Sequence, residues 1–300
     1  MKASSLHVAA IMVCSACRPT LYDDETLVTT PRLLAVKSEP AEARPGSLVS
    51  YTALIAAANT DAGEESPIWD YCSTPKSLTE NNAVSAACLD ESSLVFAGVG
   101  SSITAALPRS SCSDFGPEVP RGGYRARDPD GTGGYYQPLR IDLSGNPPLF
   151  HLSRILCQLS NASADASLQY SQEYVPNTNP HLASLEAAAV GVPVALDSIQ
   201  IGQGVTLRAS WPAEDSERYA YFDPGSQTVV TRRESMQLAW YASAGSFAAT
   251  STGRSENDAE TSVTNQWTAP QVPGLVHLWL VLRDSRGGVD YRDYVLTVLA

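Results

Sequence analysis

The stretch NQWTAPQVPGLVHLWLVLRDSRGG, residues 265–288, is the most informative part of this chain for its fold. It joins a tryptophan, two proline-containing breaks, a long apolar run and a glycine-rich turn. Aliphatic and aromatic residues in the run LVHLWLVL favour a β-strand. The glycines of Ser285-Arg286-Gly287-Gly288 tolerate positive φ, as a tight hairpin requires. The pattern predicts a strand that turns back into a C-terminal strand.

The two halves of the chain contain matching blocks in the same order. Each half has a glycine-led alternating strand, a tryptophan strand, an apolar strand with a His-Leu pair and a tyrosine-bearing strand. The pairs are GSLVSYTALIA (46–56) with GQGVTLRASW (202–211), SPIWDYC (66–72) with MQLAWYASAGSF (236–247), LFHLSRILCQLS (149–160) with LVHLWLVLRDS (275–285), and YSQEYV (170–175) with YRDYV (291–295). The shared order predicts an internal repeat.

These blocks are what an Ig-like sandwich needs, namely alternating strands, a buried tryptophan and a late hairpin. The runs W-x-A-P, P-G-x-V and D-x-x-G-G in the second half resemble the PKD-like and Ig-like modules of bacterial cell-surface proteins. We therefore predict an all-β chain with two Ig-like antiparallel β-sandwiches in tandem, over residues 31–180 and 185–300. The first carries a long loop-rich insertion at about 73–145, with paired strands around Gly100. The second is expected to fold alone.

The composition agrees with short strands joined by many turns. The 300 residues include 20 glycines and 20 prolines, and only 17% are charged,. Lysine and arginine number 20 against 32 acidic residues, which gives a net charge of −12. This acidic balance argues against a nucleic-acid partner and against a polybasic membrane patch.

The N-terminal stretch MKASSLHVAAIMVCSAC has the order of a secretory signal. Lys2 precedes an apolar run over residues 6–13, and small residues follow. The run is too short to span a bilayer. Ser15-Ala16-Cys17 resembles a bacterial lipobox, although Cys14 stands where that family usually has leucine.

The lipobox resemblance implies removal of residues 1–16 as a signal peptide and acylation of Cys17, for example by palmitate. Residues 17–30 would then form a flexible tether to the first domain. Arg18 stands where many inner-membrane lipoproteins have aspartate, so the resemblance favours the outer membrane. The whole chain is similar to Gram-negative lipoproteins with tandem Ig-like domains. The alternative is an ordinary cleaved signal without lipid.

Four further cysteines, Cys72, Cys88, Cys112 and Cys157, all lie in the first half. An even number in an exported chain predicts two disulfides. Local bridges, Cys72 with Cys88 and Cys112 with Cys157, would each pin one part of the insertion. The nested alternative, Cys72 with Cys157 and Cys88 with Cys112, would link two central strands.

Two patterns in the insertion are candidate ligand sites. Tyr124, Tyr135 and Tyr136 are aromatic rings of the kind that stack on sugars, although tyrosines in strands more often alternate into a core. Asp128 and Asp130 precede Gly131 in D-P-D-G-T, a weak calcium candidate that also matches a common turn sequence.

The sequence therefore predicts a lipid-anchored cell-envelope protein with a non-catalytic binding or structural display role. A carbohydrate-binding or adhesion module that uses aromatic residues of the insertion is the alternative, and a hydrolase comes third. No cofactor and no resident metal are expected, and no hydrolase or nucleotide-binding motif is found. The expected partners are the membrane, through the lipid, and an envelope glycan or protein.

Overall fold

Two β-sandwiches follow one another along the chain, as the sequence predicts. The computed structural model describes residues 23–57, 66–77, 80–117 and 131–300. Within these ranges every helix is too short or too polar to span a bilayer.

The N-terminal sandwich packs a three-stranded sheet against a five-stranded sheet. Its strands are β1 (Arg32–Glu39), β2 (Glu42–Ala43), β3 (Leu48–Ala56), β4 (Ile68–Cys72), β5 (Leu94–Val99), β6 (Ser102–Ala106), β7 (Tyr135–Asp142) and β8 (Leu149–Ile155). The strand orders are β1-β3-β6 and β2-β8-β7-β4-β5, with only β2 and β8 parallel. Alternation in β3 turns Val49 and Tyr51 inward, where they pack with Trp69 and Tyr71 of β4,.

The C-terminal sandwich pairs two five-stranded sheets and carries an extra hairpin. Its strands are β9 (Ser184–Ala189), β10 (Val192–Pro193), β11 (Ile199–Gln200), β12 (Gly204–Ser210), β13 (Arg218–Asp223), β14 (Thr228–Arg233), β15 (Met236–Ala242), β16 (Ser246–Phe247), β17 (Ser251–Arg254), β18 (Ser262–Thr268), β19 (Gly274–Asp284) and β20 (Val289–Leu299). The orders are β10-β9-β12-β18-β16 and β11-β20-β19-β15-β17, and β13 with β14 forms the hairpin. Trp240 and Trp267 lie fully buried between the sheets.

The sheet orders confirm the internal repeat. The triplet β1-β3-β6 corresponds to β9-β12-β18, and β2-β8-β7-β4-β5 corresponds to β11-β20-β19-β15-β17. Trp69 and Trp240 occupy equivalent strands, β4 and β15. The predicted match of His151 with His277 is wrong by one strand, because His151 lies on β8 and the counterpart of β19 is β7. Similar apolar runs do not fix the place of a strand in its sheet.

In the described ranges, three α-helices and three 3₁₀ turns accompany the strands. The helices are α1 (Asp23–Thr26), α2 (Ser111–Asp114) and α3 (Ala164–Glu173), and the 3₁₀ turns are Ala86–Leu89, Glu91–Ser93 and Ala213–Asp215. Most of the predicted strand at 170–175 is helical in α3. The helix sequence ADASLQYSQE has no β-branched residue, and Ser163 Oγ accepts a hydrogen bond from the Ala166 N–H at 3.2 Å. Helix propensity and capping outweigh the tyrosine pattern.

The described part of the predicted insertion lies in two segments, 73–93 without 78–79 and 107–117 with 131–134, which are separated by β5 and β6. The strands around Gly100 do not pair with each other as expected. Instead β5 pairs with β4 in one sheet and β6 pairs with β3 in the other. A Cβ at Gly98 would lie 2.9 Å from Ile103 Cγ2, so the crossing between sheets needs a glycine there.

Both disulfides of the structure are the local ones. Cys72 bonds Cys88, and Cys112 bonds Cys157, with Cα–Cα distances of 5.4 Å and 5.7 Å. The first bridge ties the loop after β4 back to that strand, and the second ties α2 to the segment after β8. Each long loop is therefore anchored to the five-stranded sheet side of the sandwich.

Candidate functional site

The structure describes only part of the set of residues that the sequence singles out. Cys17, Tyr124, Asp128 and Asp130 lie outside the described residues. In the part of the chain that is described, no group of three or more His, Cys, Asp or Glu side chains could hold a metal ion.

Tyr135 and Tyr136, the other two candidate ligand-binding tyrosines, both make contacts within the protein. Tyr135 packs against the core of the N-terminal sandwich, with its hydroxyl 3.4 Å from Ser160 Oγ. The Tyr136 hydroxyl accepts a hydrogen bond from Arg154 Nη1 at 2.9 Å and donates to the Arg286 carbonyl at 3.3 Å. Because Arg154 also lies over the Tyr136 ring, at 5.6 Å, this ring belongs to the junction between the sandwiches,.

Arg286 is the centre of that junction. It lies in the turn between β19 and β20 and is fully buried. Its Nε donates to Glu234 Oε1 at 2.6 Å, its Nη2 to Glu217 Oε2 at 2.5 Å and its Nη1 to the Val175 carbonyl at 2.8 Å. The guanidinium also stacks over the Tyr219 ring at 4.6 Å. A residue that the sequence assigns to a turn thus binds two carboxylates and the linker between the sandwiches, residues 174–183 between α3 and β9,.

Arg154 extends the junction into the N-terminal sandwich. Its side chain is 2% exposed, and its Nε lies 3.5 Å from Glu42 Oε1. Its Nη1 also donates to the Arg286 carbonyl at 3.3 Å. The Tyr174 hydroxyl, from the linker, donates to Glu42 Oε2 at 2.6 Å. Both sandwiches and the linker between them therefore share one polar network.

The junction contains more buried carboxylates than its arginine can neutralise. Glu217, Glu234 and Asp284 all surround Arg286, and Asp284 accepts from its backbone N–H at 2.8 Å. Burial, reinforced by the charge of Asp284, raises the pKa of Glu234 to about 8 in spite of Arg286. Burial also raises the pKa of Asp284. The charge of Arg286 therefore offsets only part of the cost of burying these carboxylates,.

An apolar contact lies beside this network. The buried residues that form it are Val28, Leu34, Ala35 and Ala56 from the N-terminal side, and Trp279, Val281 and Val289 from the C-terminal sandwich. Alternation on β19 places Leu278 and Leu280 in the core of the C-terminal sandwich and turns Trp279 outward. Trp279 is therefore buried against the neighbouring sandwich rather than in the core of its own.

His151 is a partly buried histidine that packs within the N-terminal sandwich. Its Nε2 lies 2.7 Å from Ser38 Oγ. Burial, together with the nearby charge of Arg283, lowers the pKa of His151 to about 4. The ring is therefore neutral at physiological pH and acts as a structural residue of β8.

One sheet face of the N-terminal sandwich remains open to solvent. Directly paired residues of antiparallel strands point to the same side of a sheet. Val99 pairs with Ile68, and Phe96 pairs with Asp70, so these four residues define one surface, the β4–β5 face. Phe96 is 66% exposed, Val99 56% and Ile68 45%.

Asp70 is the polar centre of the β4–β5 face. Arg140 is its cross-strand partner on β7, but Arg140 binds the Asp142 carboxylate at 3.0 Å and donates to the Leu89 carbonyl at 2.8 Å. No lysine or arginine among the described residues forms an ion pair with Asp70. Burial raises the pKa of Asp70, and the nearby charge of Asp142 raises it further. The nearby charge of Arg140 opposes this shift only in part. The surface therefore has an incompletely compensated carboxylate between apolar side chains.

Sequence reasoning missed both the junction and the β4–β5 face. The run Leu278–Leu282 is apolar at consecutive positions rather than alternate ones, which is typical of a strand buried on both faces,. That signal could have predicted a covered outer face. No comparable signal marks the partners of Arg286, because they come from segments remote from it in sequence.

Comparisons with known proteins give only distant likenesses. No family model matches the sequence, and no curated protein matches it. Among solved structures, the D00-D0 domain of intimin aligns with 10% identity and a TM-score of 0.27 over 89% of this chain and 100% of that one. The Yersinia pseudotuberculosis adhesin InvE aligns with 13% identity and a TM-score of 0.25 over 89% of this chain.

A third alignment, to a Salmonella alpha-2-macroglobulin mutant, has 9% identity and a TM-score of 0.25 over 91% of this chain. This chain spans 60% of the InvE chain and 15% of the macroglobulin chain. Because all three TM-scores are low, these alignments carry no argument about what the chain binds.

Proposed function

We propose that this chain is a non-catalytic protein of the bacterial cell envelope, anchored through lipid on Cys17, and that it binds a protein partner on the β4–β5 face. The observation that carries the binding role is the exposure of Phe96, Val99 and Ile68 on one contiguous surface. Folded monomers seldom leave contiguous aromatic and aliphatic side chains in water unless a partner covers them.

The junction supports a display role for the C-terminal sandwich. Hydrogen bonds from Arg154 and Tyr136 to the Arg286 carbonyl cross between the sandwiches. Together with the Lys37–Asp290 ion pair and the apolar contact around Trp279, they hold the two sandwiches in one orientation. The β4–β5 face is then fixed relative to the C-terminal sandwich. The carbohydrate alternative is less well supported, because Tyr135 packs on a core and Tyr136 lies under Arg154.

The anchor is tested by metabolic labelling with radioactive palmitate. Cys17→Ser should lose the label, because Cys17 is the proposed site of lipid attachment, whereas Cys14→Ser should keep it. Equal labelling of wild type and Cys17→Ser would refute the lipid anchor. Fractionation of the labelled protein then distinguishes the outer membrane, which Arg18 favours, from the inner membrane.

The docking role is tested by site-specific photo-crosslinking in intact cells of the native host. A photoreactive amino acid replaces Phe96 in one strain and Val192, an equally exposed residue of the C-terminal sandwich, in another. We expect a discrete protein adduct from position 96 only. It should disappear when Ile68 and Val99 are both changed to serine. No adduct from position 96, or the same adduct from both positions, would refute docking on the β4–β5 face.

A further inference from the structure

The first relevant feature is the position of β5 in its sheet. β5 is the last strand in the order β2-β8-β7-β4-β5, so among the described residues no strand neighbours the other side of its backbone. Its sequence, LVFAGV, contains neither a charged residue nor a proline. Natural edge strands are usually protected against pairing by such residues. An edge without them, with Val95 50% and Phe96 66% exposed, can accept another strand.

The second feature is the charge beside this edge. Asp70 on β4 is next to Phe96 on β5, and its cross-strand neighbour Arg140 is already bound to Asp142. Asp70, Asp142 and Glu91 therefore outnumber the single arginine on this surface. The chain as a whole has a net charge of −12, so a second copy would bring like charge to this surface. Charge complementarity selects a basic partner.

We propose that the partner adds an extended strand to the edge of β5 and places a lysine or arginine side chain over Phe96 toward Asp70. This inference rests on the proposed docking function and specifies the chemistry of the partner. Strands of a sheet lie about 4.8 Å apart, so the added strand is about 10 Å from β4. Only a long side chain spans that distance, with its aliphatic stem packed on Phe96 and its charge near Asp70. The partner's neighbouring side chains point to the opposite face of the sheet and, if apolar, would cover Val95, which pairs with Tyr71,.

The test uses fluorescein-labelled synthetic peptides and the purified full chain. The probe is acetyl-Thr-Val-Lys-Val-Lys-Val-Thr-amide, and the matched peptide has glutamate in place of both lysines. A third peptide keeps the lysines but carries N-methyl groups on alternate residues, which block a β-ladder without removing side chains. Fluorescence anisotropy measures the affinity of each peptide, and analytical ultracentrifugation of the protein alone reports self-association.

The lysine peptide should bind saturably and at least tenfold more tightly than the glutamate peptide, a difference of about 1.4 kcal/mol. N-methylation should abolish binding. Asp70→Asn should reduce the difference between the lysine and glutamate peptides to less than threefold. Val99→Lys should prevent binding of the lysine peptide, whereas Val192→Lys, on the edge strand β10 of the other sandwich, should leave it unchanged.

Equal binding of the lysine and glutamate peptides, or full binding of the N-methylated peptide, would overturn the inference. Absence of binding by every peptide, or a dimer that Val99→Lys abolishes, would also overturn it. If position 96 still forms its crosslinked adduct in cells while the peptides fail, the docking role stands and only the basic-strand chemistry is wrong. If crosslinking also fails, the docking function itself is wrong.

Discussion

Removal of the Arg286 guanidinium eliminates three buried hydrogen bonds at the domain junction. Arg286→Met keeps most of the aliphatic stem and deletes the donors to Glu234, Glu217 and the Val175 carbonyl. Arg286 and Glu234 both have side chains that are 0% exposed, so water cannot replace the lost bonds without opening the junction. The variant therefore leaves buried carboxylates without their cation.

The size of the effect follows from that burial. Breaking a buried ion pair by removing one partner costs about 3–5 kcal/mol. For a cooperative unit of this size, that loss lowers the melting temperature by on the order of 10 °C. The matched control is Arg208→Met. Arg208 and Glu186 lie 3.6 Å apart with side chains 56% and 65% exposed, and such surface pairs contribute about 1 kcal/mol or less,.

Thermal unfolding followed by circular dichroism and calorimetry measures both variants at pH 7 and at pH 4.5. At the lower pH the junction carboxylates take up protons more readily, so the penalty of Arg286→Met should shrink. The control should show no such change. If Arg286→Met melts within about 2 °C of the wild type at pH 7, or no lower than Arg208→Met, the junction does not have the energetic role assigned to it.

Three further predictions concern stability. The folded-state pKa of Glu234 is raised from 4.5 to about 8, so between these values the native protein binds more protons than the unfolded chain. Stability should therefore fall as the pH rises from about 4.5 to about 8,. Glu234→Gln should flatten this profile in urea titrations, and an unchanged slope would contradict the pKa argument. Trp240→Ala should destabilise the full chain by about 3 kcal/mol or more, because Trp240 is fully buried within its own sandwich,. Trp279→Ala should destabilise the full chain too, but should have little effect on a fragment of residues 185–300, where that side chain has lost its partner; similar losses in both contexts would place Trp279 in the wrong core.

Local sequence patterns predict this fold well where packing within one sandwich determines structure. The tryptophan strands β4 and β15 and the glycine-led strands β3 and β12 follow from alternation, because each buries one face in its own core. Prediction fails for β19, whose apolar run is matched to β8 although its counterpart is β7. Strand order depends on pairing between distant segments, and periodicity contains no information on it.

The candidate sites were less predictable for the same reason. Tyr136 has the sequence context of a ligand-binding loop, but its environment is created by Arg154 and by a turn 150 residues away. Phe96 lies in the apolar strand β5. It is exposed because β5 is an edge strand and Phe96 is on the open face of its sheet. The sequence predicted two disulfides but left the nested pairing open beside the local one, and the structure has the local bridges.

The central claim is that the junction makes the two sandwiches one rigid unit. Pulsed electron paramagnetic resonance between nitroxide labels at Leu48→Cys and Val192→Cys, which are 67% and 64% exposed on opposite sandwiches, tests it most directly. A rigid junction gives one narrow distance distribution in the wild-type background and a broad one after Trp279→Ala, which removes a side chain that packs against the other sandwich. A broad or multimodal distribution in the wild-type background would contradict the claim.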